Sequence, residues 1–237
     1  MKILFIDEVS FTQKAPDFLG IGILEIDITR YKQLKQDFWN AFTKMGWDET
    51  IEFKGKFMFS KKGDKNVSVD MRLSFVESLV KSSVSEKNAR YHFTFFYNYK
   101  GTDKTNFIKL LEGGLSKVIK KCSQKKNGKD IYMLILDSRD DISPEEVLKK
   151  VESIIQAKGC LLFERPFIVK SSNYTPGIIT VDILSYISSW FILNDTSSSL
   201  FEGINERKKR SSHIEKKLNK IREFLERVKN KRFIPLA

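Results

Sequence analysis

The chain has 237 residues, 41% hydrophobic and 12% aromatic, with 42 basic against 30 acidic side chains for a formal net charge of +12. That apolar content excludes a disordered polymer, and the charge points to a phosphate-rich or otherwise acidic partner. Two cysteines exclude a disulfide scaffold or zinc ribbon, and two histidines, His92 and His213, exclude a three-histidine site, so any metal must be held mainly by carboxylates.

In chain order, residues 2–6 read as a buried strand stopped by Asp7 and Glu8, and residues 20–28 as a second strand able to return antiparallel. Leu34, Phe38 and Phe42 recur at fourfold spacing and predict a helix over 31–45. Residues 50–60 are extended or irregular, 61–65 an exposed lysine-rich turn, and 67–81 a helix on Met71, Phe75 and Leu79. An aromatic strand follows at 90–97, then a helix at 105–122 interrupted by Gly113-Gly114. A polar, basic turn region at 120–130 leads into a fully apolar strand at 131–136, which ends at Asp137. The next helix has a well-marked start: Ser143 as N-cap, Pro144 at the first position and Glu146 to close a capping box, with Gly159 beyond its end near Ala157. An extended segment at 161–170 and a helix from Thr175-Pro176 to about Leu193 complete an interleaved pattern that argues an α/β domain.

The charge is unevenly spread. Residues 207–232 hold 12 basic and 3 acidic side chains, a local net of +9, which leaves +3 for the rest. In this segment Ile214, Leu218, Ile221, Leu225 and Val228 form one apolar stripe on a basic helix. The apolar run at the start is too short for a signal-peptide core, and residues 177–193 carry Asp182 and three serines, too polar for a membrane span. A cytoplasmic protein without a membrane partner is the expectation, and unpatterned cysteines fit it.

Carboxylates beside apolar strands are the main chemical signal. Asp7 and Asp137 each follow such a strand, and strand ends in open α/β sheets commonly line a crevice. Period-two alternation sends Asp7 and Glu8 to opposite faces, leaving Asp7 as the candidate member of a shared cluster. Asp140 and Asp141 read as turn and helix-start acids. Asp182 lies among Ile178, Ile179, Val181, Ile183 and Leu184, where burial demands a cation, a metal or hydrogen bonds. Glu52, in Ile51-Glu52-Phe53-Lys54-Gly55-Lys56, shares an alternation with Lys54 and Lys56. That pair is either a salt bridge or part of a site. The plain alternatives for the aspartates are solvated turn acids, or for Asp182 a structural ion pair.

At these residues the chain resembles the DUF3800 family. Ile3-Leu4-Phe5-Ile6-Asp7-Glu8 resembles its opening strand followed by Asp-Glu, and Glu52-Phe53-Lys54-Gly55 its acidic-lysine segment. Met133-Leu134-Ile135-Leu136-Asp137 resembles its later strand, and residues 176–186, centred on Asp182, its helical motif. Val9-Ser10 stands where the family often has a glycine, and Ile179-Thr180-Val181 replaces the usual Gln-x-Ala before the aspartate. The resemblance covers about residues 2–193 and implies a ribonuclease H-like mixed sheet flanked by helices. It divides the chain into a domain at 1–200 and a basic helical extension at 201–237. It implies a possible divalent-metal nuclease, with Asp7, Glu52, Asp137 and Asp182 as ligands for Mg²⁺ or Mn²⁺. Lys54 would hold a phosphate, stabilise developing charge, or neutralise the acids when metal is absent, and Glu8 would be an outer hydrogen-bond acceptor.

Nucleic acid is the acidic partner that best fits the charge. Lys54, Lys56, Lys61, Lys62 and Lys65 form one basic region. Lys117, Lys120, Lys121, Lys125, Lys126 and Lys129 form another, and Arg207-Lys208-Lys209-Arg210 opens the basic tail. The aromatics Tyr91, Phe93, Phe95, Phe96, Tyr97 and Tyr99 suit base stacking or, more commonly, core packing. The alternatives to a nuclease are a non-catalytic nucleic-acid- or protein-binding module, and an assembly component that pairs as a homo-oligomer or with another protein through the C-terminal helix.

Overall fold

A computed structural model of the chain describes residues 1–12, 17–48, 51, 53–58, 66–83, 91–120, 130–169, 175–196 and 212–236. Strand β1 (Lys2–Phe11) turns back into β2 (Phe18–Asp27), followed by α1 (Ile28–Met45) and a 3-10 turn at Gly55–Phe57. Then come α2 (Val69–Ser83), β3 (His92–Asn98), α3 (Lys104–Val118), β4 (Ile131–Asp137) and α4 (Pro144–Ala157). Short strands β5 (Leu161–Leu162) and β6 (Phe167–Val169) precede α5 (Pro176–Thr196), α6 (Ser212–Arg232) and β7 (Phe233–Pro235).

Among the described residues, seven strands form one mixed sheet in the order β5-β4-β1-β2-β3-β7, with β6 also pairing β4. β1, β2 and β3 are antiparallel neighbours, while β4 runs parallel to β1 and β7 parallel to β3. Strand alternation sends Leu4, Ile6, Leu134 and Leu136 into a core beneath α3 and α4. Ile3 and Phe5 enter the opposite core, which α1, α2, α5 and α6 cover. The architecture is α/β, a mixed sheet with helices on both faces.

Three local expectations change. β1 does not stop at Asp7-Glu8, because its pairing with β2 continues to Phe11↔Phe18. Asp7 is therefore a mid-strand residue. Helix α3 runs unbroken through Gly113 and Gly114, whose missing side chains accommodate Leu236 and the Phe96 ring. The extended segment at 161–170 divides into β5 and β6, with Pro166 between them. The start of α4 is as its sequence dictates: Ser143 Oγ accepts from the Glu146 N–H, and the Glu146 carboxylate accepts from the Ser143 N–H.

Of residues 201–237, α6 and β7 belong to the same sheet and core. Leu218, Ile221 and Leu225 are buried, Lys217 is paired with Asp70 at 2.7 Å, and Phe233 packs on Phe95 and Phe191. β7 was not anticipated from sequence. Three residues are too few to carry an alternation signal, and Pro235 argues against a strand except at a sheet edge.

Helix α5 lies directly on the sheet. The window Pro176–Leu193 is apolar enough to cross a membrane by length and composition, with mean hydropathy 1.5, but 83% of it is buried inside the fold. Its close approach depends on glycine. A Cβ on Gly22 would collide with Ser185 Oγ and crowd Phe93 and Val181, and one on Gly177 would enter the Phe5 ring. Gly22→Ala is expected to destabilise the fold by about 1–3 kcal/mol, the usual range for overpacking. Adding Ser185→Ala should recover part of that loss. Urea unfolding of both variants checks this, and a neutral single substitution would contradict the packing.

Candidate active site

The parallel register of β1 and β4 runs from Lys2↔Tyr132 to Ile6↔Leu136. One step further, Asp7 and Asp137 occupy equivalent places on adjacent strands. Phe5 and Ile135, two residues before them, pack in the α5-side core, so alternation puts both aspartates on that face. On its other flank Asp7 stands opposite Gly22 of β2. The same glycine that admits α5 thus lies beside Asp7, and α5, the helix that carries Asp182, packs on β1.

Asp7 is buried, only 6% exposed. Burial is the strongest influence on it, followed by the negative charges of Asp182 and Asp137. Together they push its carboxyl well above the usual carboxylate range, against a hydrogen bond from the Glu8 backbone N–H. Both other sequence-predicted aspartates thus act on Asp7 through their charge. Asp137 Oδ1 accepts from the Ser138 N–H at 3.0 Å. Tyr186, one turn after Asp182, has its hydroxyl pushed up by burial and then by the Asp182 charge.

Asp182 is held from a distant part of the chain. Its Oδ2 accepts from the Gly55 backbone N–H at 2.7 Å. A Cβ on Gly55 would strike Tyr186 and crowd the Asp182 carbonyl, so the turn lies flat on α5 because residue 55 is glycine. The turn is anchored behind. Arg72 Nη1 donates to the Phe57 carbonyl at 2.6 Å, and its guanidinium lies over the Trp47 ring. Trp47 in turn donates to the Ile51 carbonyl and packs edge-on against Phe53. Lys54 precedes the turn in extended conformation and is half-buried, two residues from exposed Lys56. Glu52 lies outside the described residues, as do Lys61, Lys62, Lys65, Lys121, Lys125, Lys126, Lys129 and residues 207–210.

Glu8 faces the opposite side of the sheet, as alternation requires. It pairs with Arg139 Nη1 at 2.6 Å. Burial raises the Glu8 carboxyl, and the Arg139 charge opposes that rise. Arg139 also forks onto Asp141, donates to the Thr102 carbonyl and covers the Phe107 ring. It ties the β1 strand beside Asp7 to the turn that follows Asp137. Sequence reasoning passed over Arg139; its position two residues after a candidate acid was the available signal. The Gly55 N–H could not have been found from residue type, because any residue but proline carries that donor.

Among the described residues, no group of three or more His, Cys, Asp or Glu side chains is arranged to hold a metal ion as it stands. A groove of about 680 Å³ lies elsewhere, between α1 and α2, lined by residues including Asp37, Lys44, Met71 and Lys81. No protein-family model and no curated protein matches this sequence.

The buried aspartate has a measurable pH signature. In the unfolded chain Asp7 ionises near its ordinary value of about 3.9. In the fold it keeps its proton to higher pH. The folded chain binds the extra proton between those two values, so this group's contribution lowers stability as pH rises through them. In chelator-treated buffer, Asp7→Asn should therefore be more stable than the parent at pH 8, with the gap closing toward pH 4. Thermal unfolding across that range checks it; a gap independent of pH would contradict it.

Proposed function

We propose that the chain is a divalent-metal-dependent nuclease that hydrolyses phosphodiester bonds in DNA or RNA through its carboxylate cluster. The observation that carries this reading is the buried Asp7 carboxyl, which stands one register step beyond Ile6↔Leu136 beside Asp137 and lies on the strand that α5, the helix of Asp182, packs against. A buried carboxyl under the negative charge of two others is costly unless something positive joins them. An all-oxygen donor set suits a hard divalent ion, Mg²⁺ or Mn²⁺. Asp7, Asp137 and Asp182 would hold it, with Glu52 as the fourth candidate ligand.

When bound, such an ion supplies Lewis-acid stabilisation of the charge that develops on phosphodiester oxygens. The chain's own residues supply position. The Gly55 N–H fixes one oxygen of Asp182. Ser138 does the same for Asp137. Lys54, at the head of the turn on α5, is the residue best placed by sequence to hold a phosphate oxygen. Asp7 would bind the cation as a carboxylate, and the cation would offset the neighbouring negative charges that raise its carboxyl.

The mixed sheet flanked by helices accords with what the DUF3800 resemblance implies, and a ribonuclease H-like fold is part of the proposal. A cytoplasmic setting and a nucleic-acid partner belong to it too. The apolar stripe that suggested assembly through the C-terminal helix has its described members, Leu218, Ile221 and Leu225, buried within the chain.

The activity is expected to require Mg²⁺ or Mn²⁺ and to vanish with EDTA. Asp7→Asn and Asp137→Asn should each lower cleavage of labelled oligonucleotides by about a hundredfold or more, since even outer-sphere changes at metal sites cost 10–100-fold. Circular dichroism of the variants keeps loss of folding separate. Cleavage that persists in EDTA, or survives both substitutions, would overturn the proposal.

A further inference from the structure

We propose that the aromatic side chains at the Phe11 end of the acid-bearing sheet face stack against unpaired bases, which makes the ligand a single-stranded nucleic acid. This deepens the nuclease reading and rests on it for the place of the scissile phosphate.

Asp7 and Phe11 are four residues apart on β1 and project to the same face, about 13 Å apart along the strand. Asp182 and Tyr186 are one turn apart on α5, which runs alongside in the same direction: Gly177 lies over Phe5, and the Tyr186 ring lies 6.4 Å from the Phe11 ring. The strand and the helix therefore each carry an acid followed by an aromatic ring. The array widens across the sheet. Phe11 pairs with Phe18 on β2, and the Phe18 ring stacks on Tyr97 at 5.9 Å and meets Tyr99 edge-on at 5.5 Å.

Burial separates this group from the core aromatics. Tyr91, Phe93, Phe95 and Phe96 are at most 2% exposed and belong to the interior. At the far end Phe18 is the buried floor, Phe11, Tyr97 and Tyr186 are half-buried, and Tyr99 is 37% exposed. Exposed Lys100 follows Tyr99 in the chain, a positive charge of the kind that contacts a phosphate backbone. Unpaired bases offer their faces to such a surface, whereas bases in a duplex are already stacked on one another. Continuity with the acids favours a polynucleotide strand over an unrelated apolar partner.

The test is fluorescence anisotropy with labelled oligo-dT and oligo-U of about fifteen nucleotides, the corresponding duplexes, and an abasic strand of equal length, all in EDTA so that no cleavage occurs. The chain should bind a single strand at least about tenfold more tightly than duplex or abasic strand. Tyr99→Ala and Tyr99→Leu should weaken binding by about tenfold to a hundredfold, the weight of one base–aromatic stack, while Tyr99→Phe retains it. Equal binding of duplex, abasic and normal strands, less than a twofold effect of Tyr99→Leu, or no binding to either single strand would overturn the inference. Ring-dependent binding without any metal-dependent cleavage would support the stacking surface and remove the nuclease reading; cleavage with no ring dependence would do the reverse.

Discussion

The burial of Asp7 among other acids is the constraint around which the remaining geometry is arranged. A carboxylate in the middle of a central strand, 6% exposed and acted on by Asp182 and Asp137, is unfavourable by itself. The neighbouring structure brings these acids together. Parallel pairing of β1 with β4 aligns Asp7 with Asp137, and α5, which carries Asp182, packs on β1. A fold seeking stability alone would place apolar side chains here, as it does at Phe5 and Ile135 on the same face.

Glycine makes that closeness possible. Gly22 and Gly177 let α5 lie on the strands, and Gly55 lets the preceding turn lie on α5. The turn returns a backbone N–H to Asp182 and is itself held by Arg72 and Trp47. A chain of contacts therefore runs from α2, through the turn and α5, to the central strands. On the other face Arg139 links Glu8 with the turn after Asp137. Both sides of the sheet brace the same pair of strands.

Much of the fold was legible because its signals are local. The capping box at Ser143, the fourfold spacing of Leu34, Phe38 and Phe42, and the apolar run before Asp137 each act within a few residues. Asp182 stood out because a charge on an apolar helix needs compensation. The length of β1 was less legible, since Asp7 and Glu8 look like a strand terminus until the pairing with β2 is known. β7 depends on an edge supplied by β3, more than a hundred residues earlier. The Gly55 contact, the Arg139 clamp and the ordering of acids and aromatics along one face arise from long-range register, which residue spacing alone does not encode.

The central claim is that the acids around Asp7 form a cation site. Isothermal titration of the metal-free chain with Mn²⁺ tests it most directly. Saturable binding is expected, weakening as the pH is lowered and lost in Asp7→Asn. Absence of saturable binding by the parent chain, or unchanged binding in Asp7→Asn, would contradict it.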